Sequence, residues 1–192
     1  MNGKKALRTE LKLRRINMEV SYKASADRSI CEKVTASLLY KDADSLLIYV
    51  SSDIEVDTKD IIQFSLEKGK AVFVPRCVGR TNEMHFYKIR SFDDLECGYF
   101  GILEPKEYCE KYTGSNNALC ITPALAYDRE GFRLGFGKGF YDRFLSGFNG
   151  RKFGICYDGF ILDNVFRDSF DVPVDMIITE NREIITDDER EE

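Results

Sequence analysis

A chain of 192 residues, 43% hydrophobic and 32% charged, has an ordinary globular composition, neither disordered nor membrane-like. Its 28 lysines and arginines against 33 aspartates and glutamates leave a net charge of −5, with no general attraction to nucleic acid or an anionic membrane. An anionic substrate must therefore be caught by a local cationic site, against the sign of the whole protein.

The chain opens MNGKKALRTELKLRR, which has no apolar centre and does not read as a signal peptide. The spacing predicts a basic amphipathic helix over 4–22, with Leu7, Leu11 and Met18 on one side and Lys4, Arg8, Lys12 and Arg15 on another, solvated one. A second helix is expected over 25–40, its buried stripe being Ile30, Val34 and Leu38. The apolar run Leu46–Val50 predicts a buried strand. A helix follows over 58–68, with Asp57 placed to cap it, Asp60 in its first turn and Gly69 at its C-terminal end. Strands are expected at 71–74, stopped by Pro75, and at 84–89. Residues 91–117 hold turn formers (Gly98, Gly101, Pro105, Gly114, Asn116, Asn117) and predict a long excursion. A strand at 118–122 ends at Pro123, a helix lies near 141–146, and the last strands are 152–157 and 176–179. The acidic tail 187–192 is expected to fray.

Strands alternating with helices, and apolar rather than alternating in pattern, argue for a mostly parallel sheet covered on both faces, in one domain spanning 1–192. No run approaches the roughly 18 apolar residues of a membrane span. The six cysteines (Cys31, Cys77, Cys97, Cys109, Cys120, Cys156) form no C-x-x-C pair, and the single histidine, His85, has no cysteine at metal-ligand spacing. They read as scattered reduced thiols in a soluble cytoplasmic protein.

The informative stretch is Ile121–Leu145, in which Gly135, Gly137 and Gly139 alternate with Phe136, Lys138 and Phe140 between a strand and a helix. Such glycines permit positive φ and close approach of backbone N–H groups to a ligand. Arg133 and Lys138 add two cations, so the segment reads as an anion cradle suited to a polyphosphate. It is neither a Walker A loop, since Gly139 follows Lys138, nor a dinucleotide fingerprint, since Phe140 stands where glycine is required. The plainer reading is a tight strand-to-helix turn. Asp142 reads either as a helix-start acid or as a magnesium ligand facing phosphates, and taken alone the former is favoured. Lys4 and Arg8, one turn apart, make either a solvated face or a phosphate clamp.

At these residues the chain resembles the 5-formyltetrahydrofolate cyclo-ligase (5,10-methenyltetrahydrofolate synthetase) family. The resemblance is carried by Pro123, by Tyr127-Asp128-Arg129-Glu130-Gly131 and by Arg133-Leu134-Gly135-Phe136-Gly137-Lys138-Gly139-Phe140-Tyr141-Asp142-Arg143. Supporting matches run along nearly the whole chain: Lys4–Arg8, Tyr49–Asp57, Phe73–Arg76, Gly101–Pro105 and Asp171–Asp175. The resemblance implies a Rossmann-like three-layer α/β/α sandwich and an enzyme using ATP and Mg²⁺ to convert 5-formyltetrahydrofolate into 5,10-methenyltetrahydrofolate. It implies nucleotide contacts from Lys4, Lys5, Ala6, Leu7 and Arg8 and from the Arg133–Tyr141 loop, with Lys138 and Arg133 serving catalysis. It also implies a folate pocket using Arg8, Val50, Glu55 and residues Phe136–Phe140, and magnesium positions at Asp142 and Asp171. Two positions depart from the family pattern: Phe136 stands where Arg or a small or polar residue is common, and Phe140 stands where Tyr is common, keeping an aromatic face without the hydroxyl. The implied partners are small molecules, with no nucleic acid or membrane, and the implied state is a monomer. Two other readings stay open on the residues alone: a sugar-phosphate isomerase or CoA-transferase-like enzyme, and a non-catalytic nucleotide- or folate-binding module.

Overall fold

The structure, a computed structural model, describes residues 2–79, 81–98, 101–115 and 117–186. The expectations for Asn116 and for the tail 187–192 lie outside them.

Helix α1 (Asn2–Ile16) ends earlier than its periodicity suggests, and α2 (Val20–Ala36) begins almost at once. The break is built by Glu19, whose carboxylate accepts from the amides of Ser21 and Tyr22 and so satisfies two otherwise orphaned donors. Ser37 repeats the device: its hydroxyl accepts from the amide of Tyr40 and starts the short α3 (Leu38–Asp42). Ile30 and Val34 are buried as expected, but the restart at Ser37 turns Leu38 out to solvent, 74% exposed.

Strand β1 (Ser45–Ile48) is followed by α4 (Lys59–Glu67), β2 (Ala71–Cys77) and β3 (Met84–Ile89). Asp57 does hold the start of α4, accepting from the amide of Lys59 at 2.9 Å, and Gly69 closes its end at φ +74°. The excursion that follows contains a small antiparallel pair, β4 (Leu95–Cys97) and β5 (Leu103–Pro105). It then returns along the β3 edge, where the Tyr112 amide donates to the Phe86 carbonyl and the Tyr112 ring meets Phe73 edge-on at 5.0 Å.

After β6 (Ala118–Thr122) come β7 (Ala126–Asp128) and β8 (Arg133–Leu134), an antiparallel pair joined by a turn that Asp128 organises. Its Oδ1 accepts from the amides of Glu130 and Phe132, and Gly131 sits at φ +88° with its Cα against the Val174 carbonyl, where a Cβ would approach to 2.5 Å. Only glycine fits there. The chain ends through α5 (Phe140–Leu145), β9 (Arg151–Ile155), β10 (Ile161–Leu162), β11 (Met176–Ile178) and β12 (Glu183–Ile185).

The main sheet has seven strands in the order β12-β11-β9-β6-β1-β2-β3. The five central ones run parallel, and antiparallel β3 and β12 form its edges. Alternation along the strands separates two cores. Leu46, Ile48, Val72, Val74, Leu119, Ile121, Phe153 and Ile155 face α1, α2 and α4. Leu47, Phe73, Ala118 and Cys120 face α5 and its aromatic neighbours Phe144 and Phe148. Each large apolar side chain fully buried here contributes roughly 1.5–3 kcal/mol. The chain steps from β1 outward to β2 and then returns to β6 on the other side of β1, so the order reverses between β1 and β6. Open α/β sheets bind ligands in the crevice beyond the carboxyl ends of strands at such a reversal.

Candidate active site

A cavity of about 370 Å³ lies at that reversal. Tyr49 and Val50 enter it from the end of β1, Pro123 from the end of β6, and Pro75 and Cys77 from β2. Ile102, Leu103 and Glu104 border it from the β4–β5 excursion, and Gly135, Phe136 and Lys138 to Asp142 close the remaining side. Of the stretch that follows, residues 110–112 pair along the β3 edge instead. A larger depression of about 570 Å³ beside the C-terminal half of α1 is lined by Leu13, Tyr22, Tyr157 and Phe160. It gathers no glycine-rich loop and none of the convergent charges found at the sheet reversal, so the smaller cavity is the candidate site.

The loop conformation follows from its glycines. Gly137 has φ +99° and Gly139 φ +69°, backbone angles that side-chain-bearing residues rarely adopt. At Gly137 a Cβ would also meet the Arg8 guanidinium carbon at 3.3 Å, so the missing side chain lets Arg8 lie against the loop. Arg8 Nε donates to the Gly135 carbonyl at 2.9 Å, tying α1 to the cradle. Lys138 is exposed at the cavity wall, and its ammonium makes no ion pair among the described residues.

Arg133 is buried and committed: its Nη1 donates to the Val172 carbonyl at 2.7 Å, and its Nη2 pairs with Asp142 Oδ1. The Val172 amide donates to the same Asp142 oxygen at 3.3 Å. Asp171, one residue away, uses Oδ2 to accept from Lys4 Nζ at 3.2 Å and from the Asp168 amide at 2.9 Å. Lys4 also bonds Asp168 at 2.6 Å. Both expected metal positions thus have one oxygen tied to the fold, and the other has no partner among the described residues.

Glu55 is 7% exposed at the cavity wall, and its Oε2 accepts from both the amide and the hydroxyl of Ser52, at 2.8 and 2.7 Å. Burial pushes its carboxyl above the ordinary value, with the two Ser52 donors pulling it partly back. Cys77 also lines the cavity, and burial, with the Glu104 carboxylate beside it, pushes its thiol up to about 11. Phe136 is 39% exposed at the mouth, with Lys12 Nζ 5.3 Å from its ring centre.

The structure therefore brings together Val50, Glu55, Arg133, Gly135, Phe136, Lys138, Gly139, Phe140, Tyr141 and Asp142 around one cavity. Lys4, Arg8 and Asp171 join through the contacts above, and Gly137 through Arg8. Lys5 and Ala6 are exposed on α1, while Leu7 and Leu134 pack into the core; none of these four side chains lines the cavity. His85 sits in β3 opposite Arg76, outside it. Arg15, expected on a solvated face, is 3% exposed. It donates to the carbonyls of Ile54, Ala124 and Leu125 and stacks on Tyr157 and Phe160. These carbonyls belong to segments that lead out of β1 and β6, so a buried arginine braces both walls of the crevice. Cys77, Ile102, Leu103 and Glu104 are cavity residues that helix and strand periodicity does not mark; only the Phe73–Arg76 and Gly101–Pro105 matches point near them.

A mostly parallel α/β sheet with a cavity and a glycine-rich, cationic loop at its reversal point is the architecture of a small-molecule-binding protein. Residues 1–180 match the family model described as the 5-formyltetrahydrofolate cyclo-ligase family, and the chain belongs to that family. A probable 5-formyltetrahydrofolate cyclo-ligase of Caenorhabditis elegans is 32% identical over 173 residues, covering 83% of this chain and 84% of the relative. The 5-formyltetrahydrofolate cyclo-ligase of Haemophilus influenzae is 29% identical, covering 88% and 92%. The solved 5,10-methenyltetrahydrofolate synthetase of Aquifex aeolicus superposes with a TM-score of 0.87 at 31% identity, covering 98% of this chain and 95% of that one. Among the described residues no helix is long and apolar enough to cross a membrane.

Proposed function

We propose that the protein catalyses ATP-dependent closure of 5-formyltetrahydrofolate to 5,10-methenyltetrahydrofolate, releasing ADP and phosphate. The observation that carries this reading is that the loop suited to phosphate and the buried carboxylate Glu55 face one cavity. Two reactants held there would be positioned against each other, and positioning alone removes much of a bimolecular barrier.

In this reading the N5-formyl oxygen attacks the γ-phosphorus of ATP, the bond to the β–γ bridging oxygen breaks, and ADP leaves. N10 then attacks the activated formyl carbon and loses its proton. Phosphate departs with the former formyl oxygen as the five-membered ring closes. Phosphoryl transfer asks the protein mainly for positioning and charge stabilisation. Lys138 supplies an unpaired cation at the cavity wall, the loop amides supply donors, and Lys4 and Arg8 hold the nucleotide side. Arg133 acts through Asp142, fixing the base of the loop. Glu55 takes N–H donors of the pterin, with Val50 and the aromatic faces of Phe136 and Phe140 against the ring.

The donor set fits a magnesium ion: Asp142 and Asp171 each keep one carboxylate oxygen, and Mg²⁺ typically takes one or two carboxylates, with phosphate oxygens and water completing its shell. Magnesium bound there would neutralise phosphate charge as it develops. The same reading makes the partners small molecules, the state monomeric and the compartment cytoplasmic; the net charge of −5 offers no general attraction to nucleic acid or an anionic membrane.

The test is the near-ultraviolet absorbance of the methenyl product, followed with purified protein, 5-formyltetrahydrofolate, ATP and magnesium. A rise that requires both ATP and magnesium is expected. No rise from folded protein that still binds ATP would overturn the reading.

A further inference from the structure

Among the described residues, two buried side-chain polar atoms have no hydrogen-bond partner: Arg15 Nε and the Tyr141 hydroxyl. Arg15 is otherwise well served, since its two terminal nitrogens reach three backbone carbonyls. Tyr141 has a single polar side-chain atom, and that atom is the orphan. A hydroxyl withdrawn from water without a partner is costly, so native proteins rarely keep one without a use.

Its position identifies the use. Tyr141 lines the cavity, and its ring stands edge-on to Phe86 at 6.4 Å, with the Arg133 guanidinium 5.9 Å from the ring centre. The ring packs into the apolar clusters on both faces of the sheet end, whereas Arg8 is tied to the loop through the Gly135 carbonyl and Lys138 stands exposed at the cavity wall. The cavity it lines is shared with Glu55, whose carboxylate offers acceptors where the hydroxyl offers a donor. A carboxylate and a hydroxyl lining one cavity complement a ring edge that presents N–H donors beside a carbonyl. The amino-oxo-pyrimidine of a pterin has such an edge: its 2-amino and N3–H groups adjoin the 4-oxo group.

We propose that the Tyr141 hydroxyl donates a hydrogen bond to the 4-oxo group of the folate substrate and so determines specificity for the oxo over the amino form of that ring edge. This rests on the cyclo-ligase reading above and deepens it. The backbone of Tyr141 ends the phosphate loop, and its side chain reads the other substrate.

Tyr141→Phe separates this role from a structural one. In the ligand-free protein the substitution removes an unsatisfied hydroxyl, so the Tm stays unchanged or rises. In the assay the KM for 5-formyltetrahydrofolate rises about tenfold, as expected for leaving a buried carbonyl unpaired, while the KM for ATP stays within about twofold. A 4-amino analogue of 5-formyltetrahydrofolate completes a cycle: it binds the wild-type protein more weakly than the 4-oxo compound does, and Tyr141→Phe narrows that gap. A lowered Tm would mean that the hydroxyl is satisfied within the fold, and the proposal fails. A selective rise in the KM for ATP, or an undiminished gap between the 4-oxo and 4-amino ligands, overturns it equally. Absence of turnover in the wild type is a different failure, that of the cyclo-ligase reading, which the absorbance assay detects independently of any variant.

Discussion

Arg133, at the start of β8, pairs with Asp142 in the first turn of α5, and the nine-residue separation between them encloses the whole glycine-rich loop. The pair is the clasp of that loop, and Val172 is threaded through it by a bond on either side. Because the Arg133 side chain is 3% exposed and that of Asp142 20%, the ion pair is largely shielded from solvent.

Removing one member strands the other. Asp142→Ala leaves a buried guanidinium without its counter-charge and is expected to cost about 3 kcal/mol of stability, measured by urea denaturation. Asp142→Asn keeps an acceptor for Arg133 but removes a carboxylate, so it destabilises less while raising the magnesium concentration needed for half-maximal turnover. An unchanged magnesium requirement in Asp142→Asn would confine this residue to the clasp.

Lys138 offers the opposite profile. It is exposed and makes no ion pair among the described residues, so Lys138→Ala should leave stability within about 0.5 kcal/mol. If its charge meets the transferring phosphoryl group, kcat falls by roughly 10²–10³-fold, the range seen when one transition-state contact is deleted. Single-turnover kinetics on the folded variant check this; near-normal turnover removes Lys138 from the chemistry.

The contrast between these two residues shows what a sequence conveys. Gly135, Gly137 and Gly139 are legible because a tight loop with positive φ has few residue solutions, and Leu46–Ile48 and Val72–Val74 because a strand buried on both faces is apolar throughout. Local chemistry even hints at Asp57 and Gly69 as helix ends. Partner choice is another matter. Arg133 and Lys138 look alike in the sequence, yet one is buried in a clasp and the other is unpaired, because tertiary neighbours such as Val172 decide. Arg15 is hidden for the same reason: its three carbonyl partners come from segments that only the folded sheet brings together. The restarts at Glu19 and Ser37 are hidden because each rests on one side chain capturing one or two amides, while the apolar period runs on undisturbed.

Glu55 sets a pH dependence. Burial raises its carboxyl above the ordinary value, so between the unfolded and folded values the native chain holds more proton than the unfolded chain. Stability contributed by this group therefore declines as pH rises through that window. Binding of pterin donors needs the ionised form and improves over the same window. The KM for 5-formyltetrahydrofolate should fall as pH rises past the raised value, and Glu55→Gln should flatten that limb and raise the KM about tenfold near neutral pH. A KM profile in Glu55→Gln that still follows the wild-type limb would assign the titration to another group.

Cys77 reports on the cavity from inside. Its thiol is pushed from 9.0 up to about 11, by burial first and then by the Glu104 carboxylate. The thiolate is the nucleophile in alkylation, and a thiol raised this far holds about 100-fold less of it near neutral pH than an ordinary one does. Iodoacetamide should therefore label exposed Cys97 well before Cys77, as read by peptide mass spectrometry. The Cys77 rate should climb about tenfold per pH unit towards its titration point, where the fold survives. Saturating 5-formyltetrahydrofolate should suppress that labelling, because the thiol shares the cavity with Glu55 and Tyr141, and should leave Cys97 labelling unaffected. Fast labelling of Cys77 that the folate does not slow would put the substrate elsewhere in the crevice.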